Sequence, residues 1–141
     1  MSKLDLSRAS GGSILLAVEP LPSLLRKHFL EPVGAGSPEG ADARGGAANS
    51  ACGDRLELGL WLEGSRVARA RFQAGGCSAL IAAASLVCER LVGVPAAELA
   101  DIDPRAWLRE AGGLPRRGAH AGLVVQRALA EAVRGLPARY P

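Results

Sequence analysis

The sequence predicts an α+β fold, a small antiparallel β-sheet of two to three strands with helices packed on one face. Three observations carry this. Arg55 to Glu63 (RLELGLWLE) sets Leu56, Leu58, Leu60 and Leu62 on one face against Glu57, Gly59, Trp61 and Glu63 on the other, the period of a half-buried strand. Arg66 to Gln73 alternates again after a Gly64-Ser65 turn, with Ala68, Ala70 and Phe72 opposite Val67, Arg69 and Arg71, so the two runs form a hairpin. An isolated hairpin is marginal, and the helical stripes that follow it supply the cover that its leucine face needs.

Composition bounds the rest. A chain of 141 residues with 48% hydrophobic and 22% charged content builds one core rather than two, and we read residues 1–20 as a loosely ordered N-terminal extension and 21–141 as a single domain. The formal charge of +3 is mild and dispersed, which argues against a nucleic-acid partner. No apolar run approaches the roughly 20 residues that span a bilayer. Ser13 to Val18 is closed off by Glu19 and Pro20 and is too short for a signal-peptide core, so no membrane partner and a cytoplasmic location are expected. Three cysteines are an odd number, which excludes a fully paired disulfide framework and favours reduced thiols or metal ligands.

Within the domain, Leu21, Leu24, Leu25 and Phe29 recur at helical spacing and predict a short amphipathic helix ended by Glu31-Pro32, with His28 as a capping or packing residue. Residues 33–50, rich in glycine and alanine, predict a mobile loop or weak edge strand. After the hairpin, Gly75-Gly76-Cys77-Ser78 opens a helix to about Val92, with Leu80, Ile81, Ala84, Val87, Cys88, Leu91 and Val92 along its stripe. Ala96 to Leu99 and Pro104 to Glu110 read as two short helices, the second capped by Asp103 and anchored by Trp107 and Leu108. The last helix runs from about Gly118 to Arg134, with Val125, Leu129, Ala132, Val133 and Leu136 toward the core and His120 near the accessible face of Arg127 and Glu131.

Four residues stand out as ligands. Cys52 and Asp54 sit where a loop enters the first clear strand, Cys77 where the second strand leaves for a helix, and His120 where the last helix begins. Antiparallel pairing brings the start of one strand and the end of its partner to the same end of the hairpin. A cysteine at a helix N-terminus is expected to be favoured as thiolate by the unpaired N–H groups and the helix dipole. Cys88 lies eleven residues further along the helix, about 16 Å away, and reads as a small core residue. Two thiolates, a carboxylate and an imidazole suit zinc or iron.

Ala51-Cys52-Gly53-Asp54 before a leucine-rich strand, Ala70-Arg71-Phe72 leading to Gly76-Cys77, Ile81-Ala82 and Ser85-Leu86 in a helix, and His28-Phe29-Leu30-Glu31-Pro32 followed by Gly34 together resemble the iron-sulfur cluster assembly scaffold family of IscU and the NifU N-terminal domain. The resemblance covers about residues 21–136. It implies a compact domain that is not an enzyme and that builds a transient [2Fe-2S] cluster, or holds iron, on Cys52, Asp54, Cys77 and His120 for transfer to iron-sulfur client proteins. Cysteine desulfurase is the implied sulfur donor. Ala121 stands where the family has a third cysteine, both a cluster ligand and the preferred acceptor of persulfide sulfur, and this departure counts against sulfur acceptance. The segment gripped by an Hsp70-type chaperone is reduced to Leu114-Pro115 followed by Arg116-Arg117-Gly118, which counts against chaperone-driven release.

Other readings of the same residues stay open at this point. One is a non-assembling regulatory homologue that docks on cysteine desulfurase or other assembly partners, its four residues closing a tetrahedral zinc site. The other leaves Cys52 and Cys77 as buried structural thiols that bind nothing.

Overall fold

The computed structural model describes residues 21–51 and 53–136. The N-terminal extension with its Ser13 to Val18 patch, Cys52 and residues 137–141 lie outside them. Helix α1 (Ser23–Leu30) starts directly after Pro22, whose carbonyl accepts the Arg26 N–H. Its buried face is narrower than the spacing suggests: Leu21 and Leu25 are buried, Phe29 packs partly against the core, and Leu24 is exposed.

Strands β1 (Ala43–Asn49), β2 (Asp54–Glu63) and β3 (Arg66–Gly75) form one antiparallel sheet in the order β1-β2-β3. Of the two alternatives for the glycine-rich run, the edge strand is the one present, paired with β2 along its whole length from Ala43 opposite Leu60 to Asn49 opposite Asp54. At Gly45 a side chain is excluded because the backbone of the last helix lies on it. A Cβ on Gly45 would run into the Ala128 carbonyl and the Ala132 amide.

The hairpin alternation holds for Leu56, Leu58 and Leu60, all buried, and then breaks. Pairing passes from Trp61 opposite Arg69 to Leu62 opposite Val67, which leaves Ala68 as the extra residue of a bulge. Beyond a bulge the faces exchange. Val67 is thus buried and Ala68 exposed, the reverse of the simple alternation, and Leu62 is only half-buried.

Residues 33–42 wrap the sheet. Gly34 and Gly36 bond to Phe72 along the outer edge of β3, Phe72 N–H donating to the Gly34 carbonyl at 2.8 Å and Gly36 N–H to the Phe72 carbonyl at 2.9 Å. Val94 and Gly93 cover the same edge at Val67. Pro38 and Ala41 close over Gly59 on the sheet face opposite the leucines.

Helices cover the leucine face. α2 (Ser78–Leu91) packs on β3, and α4 (His120–Arg134) on β1 and β2. Their apolar stripes meet the sheet in a core of Leu58, Leu60, Leu80, Leu86, Val125 and Leu129. α1 lies on α2. Between the long helices run a 3₁₀ turn at Ala96–Asp101 and α3 (Pro104–Glu110), whose N-cap Asp103 accepts the Arg105 N–H at 3.0 Å as its sequence predicts. Leu108 is buried and Trp107 half-buried, so both anchor α3. A short 3₁₀ turn at Arg116–Gly118 precedes α4, which starts at His120 rather than at Gly118. No helix among the described residues is long and apolar enough to cross a membrane.

Candidate metal centre

Asp54 opens β2, Cys77 is the N-cap of α2 and His120 is the first residue of α4. Hairpin register sets Arg55 opposite Gly75, which brings Asp54 and Cys77 to the same end of the sheet. α4, laid across the other two strands, delivers His120 to that end. One ligand atom from each of Asp54, Cys77 and His120 lies within 4.8 Å of the others. Three of the four expected site residues therefore converge. The fourth, Cys52, lies outside the described residues.

Asp54 is the centre of the group and is only 1% exposed. Its Oδ1 accepts the Cys77 backbone N–H at 3.0 Å, and its Oδ2 accepts from the Cys77 thiol at 3.4 Å and from His120 Nε2 at 2.6 Å. An ionised carboxylate can only accept, so with Asp54 ionised Nε2 is the donor in this contact. Sequence reasoning found Asp54 but missed its burial. Its space is opened by Gly76, at φ +136°, because a Cβ there would run into the Asp54 carboxylate. The Gly75-Gly76 pair before the cysteine was the available signal.

Cys77 corrects an expectation. The amides of Leu80 and Ala79 do pull its pKa down, as a helix N-terminus should, but burial raises it more, and the charge and hydrogen bond of Asp54 add to the rise. The net shift is upward, so the thiol is held protonated. A cation would reverse that balance, since a coordinating thiol is deprotonated outright.

The donor set fits a metal in kind. A thiolate, an imidazole and a carboxylate are all ligands of zinc and iron. The short Asp54–His120 contact holds a proton. Tetrahedral bonds of roughly 2.0–2.1 Å need donor atoms to stand about 3.3 Å apart. A metal held by both Oδ2 and Nε2 would have to displace that proton and widen the 2.6 Å contact, whereas one held at Nδ1 would leave Asp54 orienting the ring.

The remaining candidates fall into the core. Ala121 is fully buried beside His120, and no thiol stands there. Cys88 is buried with its pKa pushed up to about 12 by desolvation, as suits a packing residue. His28, buried on α1, is a packing residue as expected: its Nδ1 lies 2.6 Å from Ser85 Oγ, which also accepts the Val33 N–H at 2.7 Å, and its Nε2 lies 3.1 Å from Glu89.

The chain is similar to known proteins in sequence and in fold. Residues 24–140 match the NifU-like N-terminal domain family. The iron-sulfur cluster assembly scaffold protein IscU 1 of Archaeoglobus fulgidus is 32% identical over 106 residues, 75% of this chain and 69% of that protein. The nitrogen fixation protein NifU of Azotobacter chroococcum is 34% identical over 111 residues, 77% of this chain but 36% of that protein. Among solved structures, a putative iron-sulfur cluster assembly scaffold protein for the SUF system from Fervidobacterium islandicum superposes with a TM-score of 0.62 at 16% identity, covering 82% of this chain and 97% of that one. That likeness shows the fold. On the family match over nearly all of the described residues, this chain belongs to the family of NifU-like N-terminal domains and IscU scaffolds.

Proposed function

We propose that the chain carries iron or a nascent [2Fe-2S] cluster as cargo, held on Cys52, Asp54, Cys77 and His120 and handed to iron-sulfur client proteins, with no catalytic turnover of its own. The observation that carries this reading is the convergence of Asp54, Cys77 and His120 at one end of the sheet, ligand atoms within 4.8 Å of one another. The IscU relative from Archaeoglobus fulgidus is an iron-sulfur cluster assembly scaffold protein, a role of the same class. Cys77 and Cys52 supply the soft donors that iron and sulfide require, and His120 and Asp54 the weaker ones that let cargo leave. Asp54, buried beneath the other two, holds the Cys77 amide and the His120 ring in place whether or not it binds the metal itself. Sulfur from cysteine desulfurase would have to pass from its persulfide to the Cys52 or Cys77 thiolate, the donor thiol leaving, or arrive as sulfide after a two-electron thiol reductant has cleaved that persulfide, because position 121 offers no thiol.

Zinc is the second reading, favoured by the mixed sulfur, nitrogen and oxygen donors, which are those of a closed tetrahedral zinc site. In that case the chain is a non-assembling homologue that docks on assembly partners. Anaerobic purification with metal analysis, then incubation with iron and sulfide, separates the two. Sulfide-to-iron charge-transfer bands that vanish in Cys77→Ala support the cargo reading. Stoichiometric zinc that iron and sulfide do not displace, with no such bands, overturns it.

A further inference from the structure

The two outer edges of the sheet are treated differently. That of β3 is closed by Gly34, Gly36, Gly93 and Val94, which bond to Phe72 and Val67. That of β1 has no strand or loop along it among the described residues. Along that edge a side chain fills one amide: Glu131 of α4 accepts the Gly46 N–H at 2.6 Å. The β1–β2 register runs without a shift, so the outward-turned positions alternate, and Arg44 and Ala48 turn their backbone groups the same way as Gly46. Arg44, Gly46 and Ala48 thus turn ladder groups outward, with the Gly46 N–H held by Glu131 and the Arg44 carbonyl beside the C-cap of α4, where a Cβ on Gly135 would stand 3.8 Å from it, and an edge with no backbone partner along it is a template for another strand.

Charge decides what that strand should be. The outer edge of β1 and the adjoining face of α4 form a groove of about 290 Å³, with Arg127 and Arg134 on either side of Glu131. Both arginines are exposed and make no ion pair among the described residues. Arg44, at the same edge, shares Glu57 at 3.2 Å. Glu131 is the single carboxylate lining the groove, and it already fills an outward amide as an incoming carbonyl or carboxylate would. A second copy of this chain, paired edge to edge, would bring the Arg127 and Arg134 pairs together and be repelled.

We propose that the outer edge of β1 docks an acidic, extended segment of a partner protein, which adds to the sheet as a fourth strand. The segment displaces Glu131 from Gly46, takes up the outward backbone groups of Arg44, Gly46 and Ala48, and sets its carboxylates against Arg127 and Arg134. β1 ends at Asn49 opposite Asp54, so the docked strand runs up to the rim of the metal centre. A partner held there has its neighbouring residues beside the cargo. The proposal rests on the edge and its charges and does not depend on which metal the centre takes.

The test uses the full chain, ¹⁵N-labelled, titrated with a blocked synthetic peptide of about ten residues alternating glutamate and valine, and with its lysine-valine counterpart. The glutamate peptide should shift the amide resonances of Arg44, Gly46 and Ala48, and the lysine peptide should not. Charge reversal with Arg127→Glu and Arg134→Glu, both on the exposed face of α4, should weaken binding by about tenfold or more. Ala48→Pro removes one outward N–H and leaves the β1–β2 ladder intact, as edge strands tolerate, and should abolish it. Equal binding of both peptides, β1 resonances that do not move, or charge-reversed protein that binds like the parent would each overturn the proposal. So would a dimer through β1 in sedimentation, which assigns the edge to a second copy.

Discussion

Asp54 Oδ2 and His120 Nε2 lie 2.6 Å apart although their residues are 66 positions apart in the chain, and the same carboxylate accepts the Cys77 amide through Oδ1. One buried side chain thereby ties the start of β2 to the N-cap of α2 and the first residue of α4. The candidate centre is organised by this link.

Removing the carboxylate should be costly in two ways. Asp54→Ala leaves the half-buried Cys77 N–H and His120 Nε2–H without their acceptor, a loss of about 1–3 kcal/mol measurable by urea unfolding. Asp54→Asn keeps an acceptor for the Cys77 amide and should cost less. The asparagine variant also deletes the charge and the hydrogen bond that help raise the Cys77 pKa, leaving burial alone to do so. Its alkylation rate by iodoacetamide should therefore rise at lower pH than in the parent. Superimposable rate–pH curves would show that Asp54 does not act on the thiol.

Neighbouring glycines should differ sharply. A Cβ on Gly76 runs into the Asp54 carboxylate at a backbone angle of +136° that side chains rarely adopt, whereas a Cβ on Gly75 meets nothing within 4 Å. Gly76→Ala is expected to cost about 3 kcal/mol and to lower cobalt or zinc occupancy by displacing Asp54. Gly75→Ala should stay within roughly 1 kcal/mol and bind as the parent does. Equal effects of the two substitutions would remove the steric basis for Gly76.

Legibility in the sequence followed side-chain size. Leu56, Leu58 and Leu60 announce β2, and the stripe of α2 announces its cover, because large apolar groups report the face they bury. β1 has no large apolar groups: the backbone of α4 presses on Gly45, so burial there demands the absence of a side chain, and a run of glycine and alanine reads as a loop or at most a weak edge strand. The exchange of Val67 for Ala68 was invisible for another reason, since a bulge depends on pairing and not on either residue alone. Cys77 and His120 were legible as residue types at helix starts. The burial of Asp54 between them was not, because it follows from how α4 crosses the sheet.

Ser85 should prove structural. Its Oγ lies 2.6 Å from His28 Nδ1 and accepts the Val33 N–H, so Ser85→Ala strands two polar groups, one of them on a buried ring. A destabilisation of about 2–3 kcal/mol is expected. The network shares no hydrogen-bond partner with Asp54, Cys77 or His120. Metal affinity at neutral pH should therefore be unchanged, and a large loss would link α1 to the centre.

Cys88 sets a limit at high pH. Its thiol is raised from 9.0 to about 12 by burial alone. The unfolded chain therefore releases that proton near pH 9 while the folded chain keeps it, and between those two values the unfolded state binds fewer protons. Stability falls as pH rises wherever that holds, by about 1.4 kcal/mol per pH unit for one group. The contribution is fully present below pH 9 and fades as pH climbs toward about 12. Urea midpoints of the parent should consequently drop across that window faster than those of Cys88→Ala, which starts lower because the sulfur leaves a small cavity but carries no such proton. Parallel slopes for the two proteins would mean that the thiol is not held neutral by the core.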